Sequence, residues 1–145
     1  MTERVDFYVL KSSTAKQRWT FACRLTEKAY LRDLKVVLWS DSAADAEAVD
    51  ELLWTFNERS FVPHDLAAAG TAPVRLTPDL DAVESADLLV NLSARLPARL
   101  ERFSRIAEII DGDADRRRLG RERFKAYREL KLPVETHQLD EATSS

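Results

Sequence analysis

The chain has 145 residues, 45% of them hydrophobic and 32% charged, so it is long enough to bury one sizeable core and too apolar to stay disordered. Three Gly and five Pro exclude collagen-like and low-complexity character, and a single Cys23 excludes a disulfide framework and a multi-cysteine zinc site. The net charge of −3 argues against generic nucleic-acid binding, but residues 111–131 hold eight Lys or Arg against five Asp or Glu, which makes this piece +3 and the remainder −6. A positive surface built locally on an acidic protein suggests a local anionic partner. No apolar run approaches the roughly 18 residues needed to span a bilayer, and the opening MTERVDFYVLK lacks a signal peptide's apolar stretch. A soluble cytoplasmic protein with no membrane contact is expected.

In chain order, VDFYVL (5–10) is rich in β-branched and aromatic residues and predicts a buried first strand. Residues 14–33 follow with few breakers and predict a helix, with Ala22, Leu25 and Ala29 at helical spacing. KVVLW (35–39) predicts a second buried strand. Ser42, with Asp45 three residues on, marks the start of a helix running to about Phe56, whose apolar stripe is Ala46, Val49, Leu52, Leu53 and Phe56. A connection punctuated by Pro63, Gly70 and Pro73 leads to candidate strands at 74–76 and 88–92. Leu100, Phe103, Ala107 and Ile110 recur at helical spacing and predict a helix over 97–110. A last helix, 114–130, starts after Asp111, Asp113 and Asp115, which suit the positive end of its dipole. A short edge strand is expected after Pro133. Strands alternating with helices imply βαβ units, hence one α/β domain over residues 1–140, with a mainly parallel sheet, helices on both faces, and a loose tail at 141–145.

The chemistry-bearing residues are sparse. With Gly only at 70, 112 and 120, neither a GxGxxG turn nor a GxxxxGK[ST] loop can be built. The stretch Lys11-Ser12-Ser13-Thr14 reads as a polar loop with an N-cap rather than an anion cradle. His64 and His137 are not spaced like metal ligands or triad members and read as surface or loop-packing residues, and Cys23 lies mid-helix as a small buried thiol. No catalytic residue, metal site or cofactor is assigned.

Two surface features stand out. On a helical wheel of the last helix, Arg117, Arg128, Arg121 and Lys125 share an arc of about 80°, with Arg118 just beyond and Phe124 at its edge. Leu119, Ala126 and Leu130 fall opposite and are expected to face the core. Cations beside a partly exposed ring suit an acidic peptide with an apolar anchor, with a phosphate backbone as the competing partner. On the second helix, Trp54 projects about 140° from the apolar stripe, so it is either covered by Ser60-Phe61-Val62-Pro63 or offered to a partner.

Two motifs carry a family resemblance. LWTFNERSFVPHDLAAAG (53–70) and GRERFKAYRELKL (120–132) resemble the corresponding stretches of the chi subunit of bacterial DNA polymerase III, and the total length and opening strands fit as well. The resemblance covers nearly the whole chain. It implies a three-layer Rossmann-like fold and a non-catalytic accessory subunit of the replicative holoenzyme. Such a subunit ties the clamp-loader complex to single-stranded-DNA-binding protein by gripping that protein's acidic C-terminal tail, and it meets DNA only indirectly. Carried over, the tail pocket comprises Ile110, Arg117, Arg121, Phe124, Lys125 and Arg128, with Arg121 as the principal carboxylate ligand. The interface for the psi subunit, which connects chi to the clamp loader, comprises Trp54, Phe61 and Pro63. This chain has a shorter loop after Gly70 and Phe124 where Tyr is common, which keeps the ring and loses the hydroxyl. The alternatives are a small nucleotide-binding enzyme on the same fold, or a module that binds DNA directly.

Overall fold

Strand β1 (Arg4–Val9) lies between β6 (Phe103–Ile110) and β7 (Val134–Gln138) in a seven-stranded, all-parallel sheet of order β3–β4–β2–β5–β6–β1–β7, in a computed structural model that describes residues 2–139. The remaining strands are β2 (Val36–Trp39), β3 (His64–Asp65), β4 (Val74–Thr77) and β5 (Ala86–Asn91). Parallel strands need crossovers. Three of these are the helices α1 (Ala15–Tyr30), α2 (Ala43–Thr55) and α3 (Ala114–Glu129). The expected tail at 141–145 lies outside the described residues. Among the described residues no helix is long and apolar enough to cross a membrane.

The sheet is coated on both faces, which explains why its strands read as continuous apolar runs. In β2, Val36 and Leu38 pack with Ala22 and Cys23 of α1 and Val49 and Leu53 of α2, while Val37 and Trp39 join Phe7, Ile106 and Tyr127 on the α3 side. The expected helix starts are present: Thr14 Oγ1 accepts from the Gln17 N–H at 3.3 Å and Ser42 Oγ from the Asp45 N–H at 3.1 Å.

Residues 97–110 overturn the helix expected there. A 3-10 turn at Leu100–Arg102 leads into β6, a central strand between β5 and β1. Both its faces are buried, so the run FSRIAEII lacks the alternation that announces a half-exposed strand, and the coincidental spacing of Leu100, Phe103, Ala107 and Ile110 imitates a helix. Its Ile106, Ile109 and Ile110 are β-branched, which was the better signal.

The core face of α3 also differs from expectation. Gly120, Arg123 and Tyr127 are buried, Leu119 and Ala126 are half-buried, and Leu130 is 55% exposed. The buried stripe is turned by roughly 70° from the one read off the apolar residues. The cause is Glu108 of β6, which is fully buried and draws two polar side chains inward. Arg123 Nε donates to its Oε1 at 3.1 Å, and the Tyr127 hydroxyl to its Oε2 at 2.6 Å, an oxygen that also accepts from Asn91 at 2.9 Å. Burial pushes the Glu108 carboxyl up, against the pull of Arg123, Tyr127 and Asn91.

Candidate functional site: a basic groove beside the last helix

The turn of α3 that buries Tyr127 also brings Phe124 down onto the sheet. Its ring meets Phe7 edge to face, with centroids 5.2 Å apart. Register does the rest. Val9 pairs with Ile110 on one side and Gln138 on the other, and Phe7 with Thr136, so side chains from three adjacent strands form a floor beneath α3. The groove has a volume of about 340 Å³. Phe7, Val9 and Ile110 line it from below, and Arg117, Arg121 and Phe124 line it from the helix.

Gly120 sets the depth of the groove. A Cβ there would stand 2.7 Å from Ile110 Cδ1 and 3.2 Å from its Cγ1, so only glycine lets the helix rest on Ile110 in its present position. For Gly120→Ala, the gain in helix propensity of about 1 kcal/mol opposes this crowding. The expected result is a nearly unchanged melting temperature with the groove floor displaced, visible as altered amide shifts at Ile110 and Phe124 in NMR spectra.

The cations around the groove are not equivalent. Arg117 Nε donates to the Asp111 carbonyl at 2.9 Å, which fixes that guanidinium at the end of the groove. Arg116 grips the Asp111 carboxylate through Nε at 2.8 Å and Nη2 at 2.7 Å. Arg118 pairs with Asp115 and Glu122 at 3.9 and 3.7 Å. Arg121 and Lys125, by contrast, are exposed and make no hydrogen bond or ion pair among the described residues. Arg128 lies with its guanidinium carbon 5.9 Å from the Phe124 ring centroid, a cation–π distance. Of the six residues expected in the tail pocket, Ile110, Arg117, Arg121 and Phe124 line one groove, whereas Lys125 and Arg128 stand outside it on the same helix. The helical wheel missed Phe7, Val9, Thr136 and Gln138. Phe7 and Val9 are two apart on a strand and so share a face, but nothing local indicates that this face looks at α3.

Asp111 holds this end of the helix in place. Burial opposes its ionisation, but the hydrogen bonds from Arg116 and the Asp113 N–H, with the nearby Arg18 charge, outweigh burial and keep its carboxyl below the usual 3.8. Its folded value is the lower one, so its contribution to stability is present above pH 3.8 and is lost as the pH falls through the folded value. Melting temperatures measured from about pH 7 down to about pH 3 should fall for the wild type. Asp111→Asn should start lower and fall less. Equal slopes would show that Asp111 is not a source of the acid sensitivity.

On the opposite edge, Trp54 is 48% exposed and Phe61 is 67% exposed. Their centroids lie 5.6 Å apart, and the Trp54 ring also rests on His64 at 4.1 Å. Pro63 is half-buried next to them. The segment 60–64 therefore covers Trp54 only in part. Trp54→Ala should cost less than the roughly 3–5 kcal/mol typical of a buried aromatic, and the wild type should lose more fluorescence to acrylamide than Trp54→Phe does. Equal quenching of the two would place Trp54 out of solvent reach.

The remaining titratable candidates are accounted for structurally. His64, expected at the surface or in loop packing, is 7% exposed in β3, with Nδ1 2.6 Å from the Val62 carbonyl and Nε2 3.1 Å from Asp50 Oδ1. Cys23 is fully buried, which pushes its thiol up to about 12 and leaves it a packing group. Asp6, Glu135 and His137 bring potential ligand atoms within 4.8 Å of one another, and Arg4 and Arg105 hold Asp6 Oδ2 at 3.2 and 3.1 Å while His137 Nε2 lies 2.9 Å from Oδ1.

Residues 1–135 match the family described as DNA polymerase III chi subunit, HolC. A chi subunit from Pseudomonas aeruginosa is 37% identical over 137 residues, covering 94% of this chain and 96% of that protein. Those of Haemophilus influenzae and Escherichia coli are 28% and 27% identical, covering 88% and 87% of this chain and 92% and 91% of theirs. With the family matched from the first residue into the start of β7 and its relatives covered almost end to end, the chain belongs to the DNA polymerase III chi subunit family.

Proposed function

We propose that this chain is a non-catalytic accessory subunit of the DNA polymerase III holoenzyme that holds the acidic C-terminal tail of single-stranded-DNA-binding protein in the groove beneath α3. The observation that carries the reading is the state of Arg121: a guanidinium without a partner among the described residues, on the rim of an apolar floor made by Phe7, Val9 and Ile110. A chain end that combines a carboxylate with a phenyl ring fits both halves of such a groove. The carboxylate takes Arg121, the ring lies against Ile110 and Phe124, and acidic residues upstream meet Arg117, Lys125 and Arg128 along the helix. Trp54, Phe61 and Pro63 form the surface for the psi subunit and through it the clamp loader, on a different part of the molecule, so that both partners can be held at once.

Calorimetric titration of the wild-type chain with a synthetic tail peptide tests this. Saturable binding is expected, lost on amidating the peptide's terminal carboxylate or removing its terminal Phe, and reduced but not abolished by salt, because burial of the ring is not screened. Contact of the same cations with a DNA backbone would instead give oligonucleotide affinity that falls steeply with salt and ignores the peptide's end group.

A further inference from the structure

α1 leaves the end of β1 across one face of the sheet, and α3 leaves the end of the neighbouring β6 across the other. Helices that diverge in this way open a crevice at the carboxyl ends of parallel strands, where α/β proteins commonly bind ligands. Here the crevice has a volume of about 300 Å³ and is distinct from the basic groove, sharing none of its lining residues.

Its inner wall holds unsatisfied polar groups. Ser40, at the end of β2, lines the crevice and is 1% exposed, and its hydroxyl has no hydrogen-bond partner. Arg18, 6% exposed, donates from Nε to the Ile109 carbonyl at 2.7 Å and from Nη2 to the Leu92 carbonyl at 3.3 Å, but it has no carboxylate of its own. Beside it, Arg116 is paired with Asp111 and Arg123 with Glu108. Among the described residues Arg18 is thus the one of these three guanidiniums with no carboxylate at ion-pair distance, whereas Arg116 also reaches Asp113 at 3.7 Å. Burial, and then repulsion by Arg116, lowers Arg18 to about 10, against the attraction of Asp111 and Glu108. A buried charge of this kind costs stability unless something pairs with it.

The outer wall has the opposite character. Asp41 and Asp45 face the crevice from the start of α2. Asp41 accepts from the Ala94 N–H at 3.0 Å, while the Asp45 carboxylate has no ion pair among the described residues. Trp19 supplies a half-buried aromatic side. A free anion satisfies the inner wall and is repelled by the outer one. A ligand with a phosphate at one end and hydroxyl donors at the other satisfies both.

We infer that this crevice is a binding site for a small phosphate monoester bearing hydroxyls, of the size of a nucleoside monophosphate, with the phosphate on Arg18 and Ser40, the hydroxyls on Asp41 and Asp45, and the ring system along Trp19. Backbone groups of a glycine loop are absent here, and a buried guanidinium with a serine hydroxyl takes their place. The site is independent of the groove beneath α3.

The test is a titration of the full chain by two-dimensional amide NMR, with AMP, inorganic phosphate and adenosine as probes. AMP is expected to shift the Ser40, Ser93 and Ala94 amides saturably, with a dissociation constant at or below about 1 mM, phosphate to shift the same amides more weakly, and adenosine least. Arg18→Gln should weaken AMP about tenfold or more, since the charged hydrogen bond is lost. Should that variant fail to fold, Asp45→Asn at the rim gives the answer: AMP binding weakens while phosphate binding is kept or improved. The inference is overturned by the absence of a saturable shift up to about 10 mM, by shifts confined to the Arg121 and Lys125 amides, or by an unchanged AMP-to-phosphate preference in Asp45→Asn.

Discussion

Replacing Arg121 with Ala is expected to weaken binding of the single-stranded-DNA-binding protein tail by about 2–4 kcal/mol, because a partly desolvated carboxylate is left without its charged partner. The groove makes the expectation specific. Arg117 is tethered to the Asp111 carbonyl and Arg128 lies over Phe124, so neither can move freely into the vacated place. Arg121→Lys should recover only part of the loss, since an ammonium cannot present two parallel donors to a carboxylate. Folding should be nearly untouched, because Arg121 is exposed and has no intramolecular partner among the described residues. Titration of the peptide into wild type and variant, with melting curves for both, measures each quantity separately. Equal affinities would remove Arg121 from the pocket.

Arg123, two residues along the same helix, should behave in the opposite way. Arg123→Ala leaves the fully buried Glu108 without a cation and should cost about 3–5 kcal/mol of stability in denaturant titration. Tyr127→Phe, which removes only the hydroxyl that donates to Glu108 at 2.6 Å, should cost about 1–3 kcal/mol. Exchanging the pair together for apolar residues, as Glu108→Leu with Arg123→Met, should be milder than Arg123→Ala alone, since no charge is then stranded. A double variant as unstable as the single one would show that the network does more than satisfy itself. The pH dependence carries its own signature. Burial raises the Glu108 carboxyl above its ordinary 4.5, so its contribution is present below that pH and declines as the pH rises, opposite in sign to that of Asp111.

Both residues belong to one run of basic side chains, and from the chain alone Arg121 and Arg123 differ only in angle on a helix. The alternation of strands and helices, the caps at Thr14 and Ser42, the off-stripe position of Trp54 and the grouping of Arg117, Arg121, Lys125 and Arg128 were legible, because each depends on residues within a turn or two of one another. The basic arc is local to the helix, but the buried face of α3 is not. Which side of α3 looks inward is decided by Glu108, a residue of a strand that itself imitates a helix because both its faces are buried. The floor of the groove is likewise a matter of register, with Val9, Ile110 and Gln138 side by side although they lie far apart in the chain. The lack of an ion-pair partner for Arg18 in the strand-end crevice belongs to the same class, since it follows from which carboxylates Arg116 and Arg123 take. Local pattern determined the elements other than β3 and β6, the off-stripe placement of Trp54 and the sign of the charged surface. Only the tertiary structure decided which polar groups are buried together and which cation is left free, because burial and pairing are properties of neighbours in space, which no periodicity along the chain encodes.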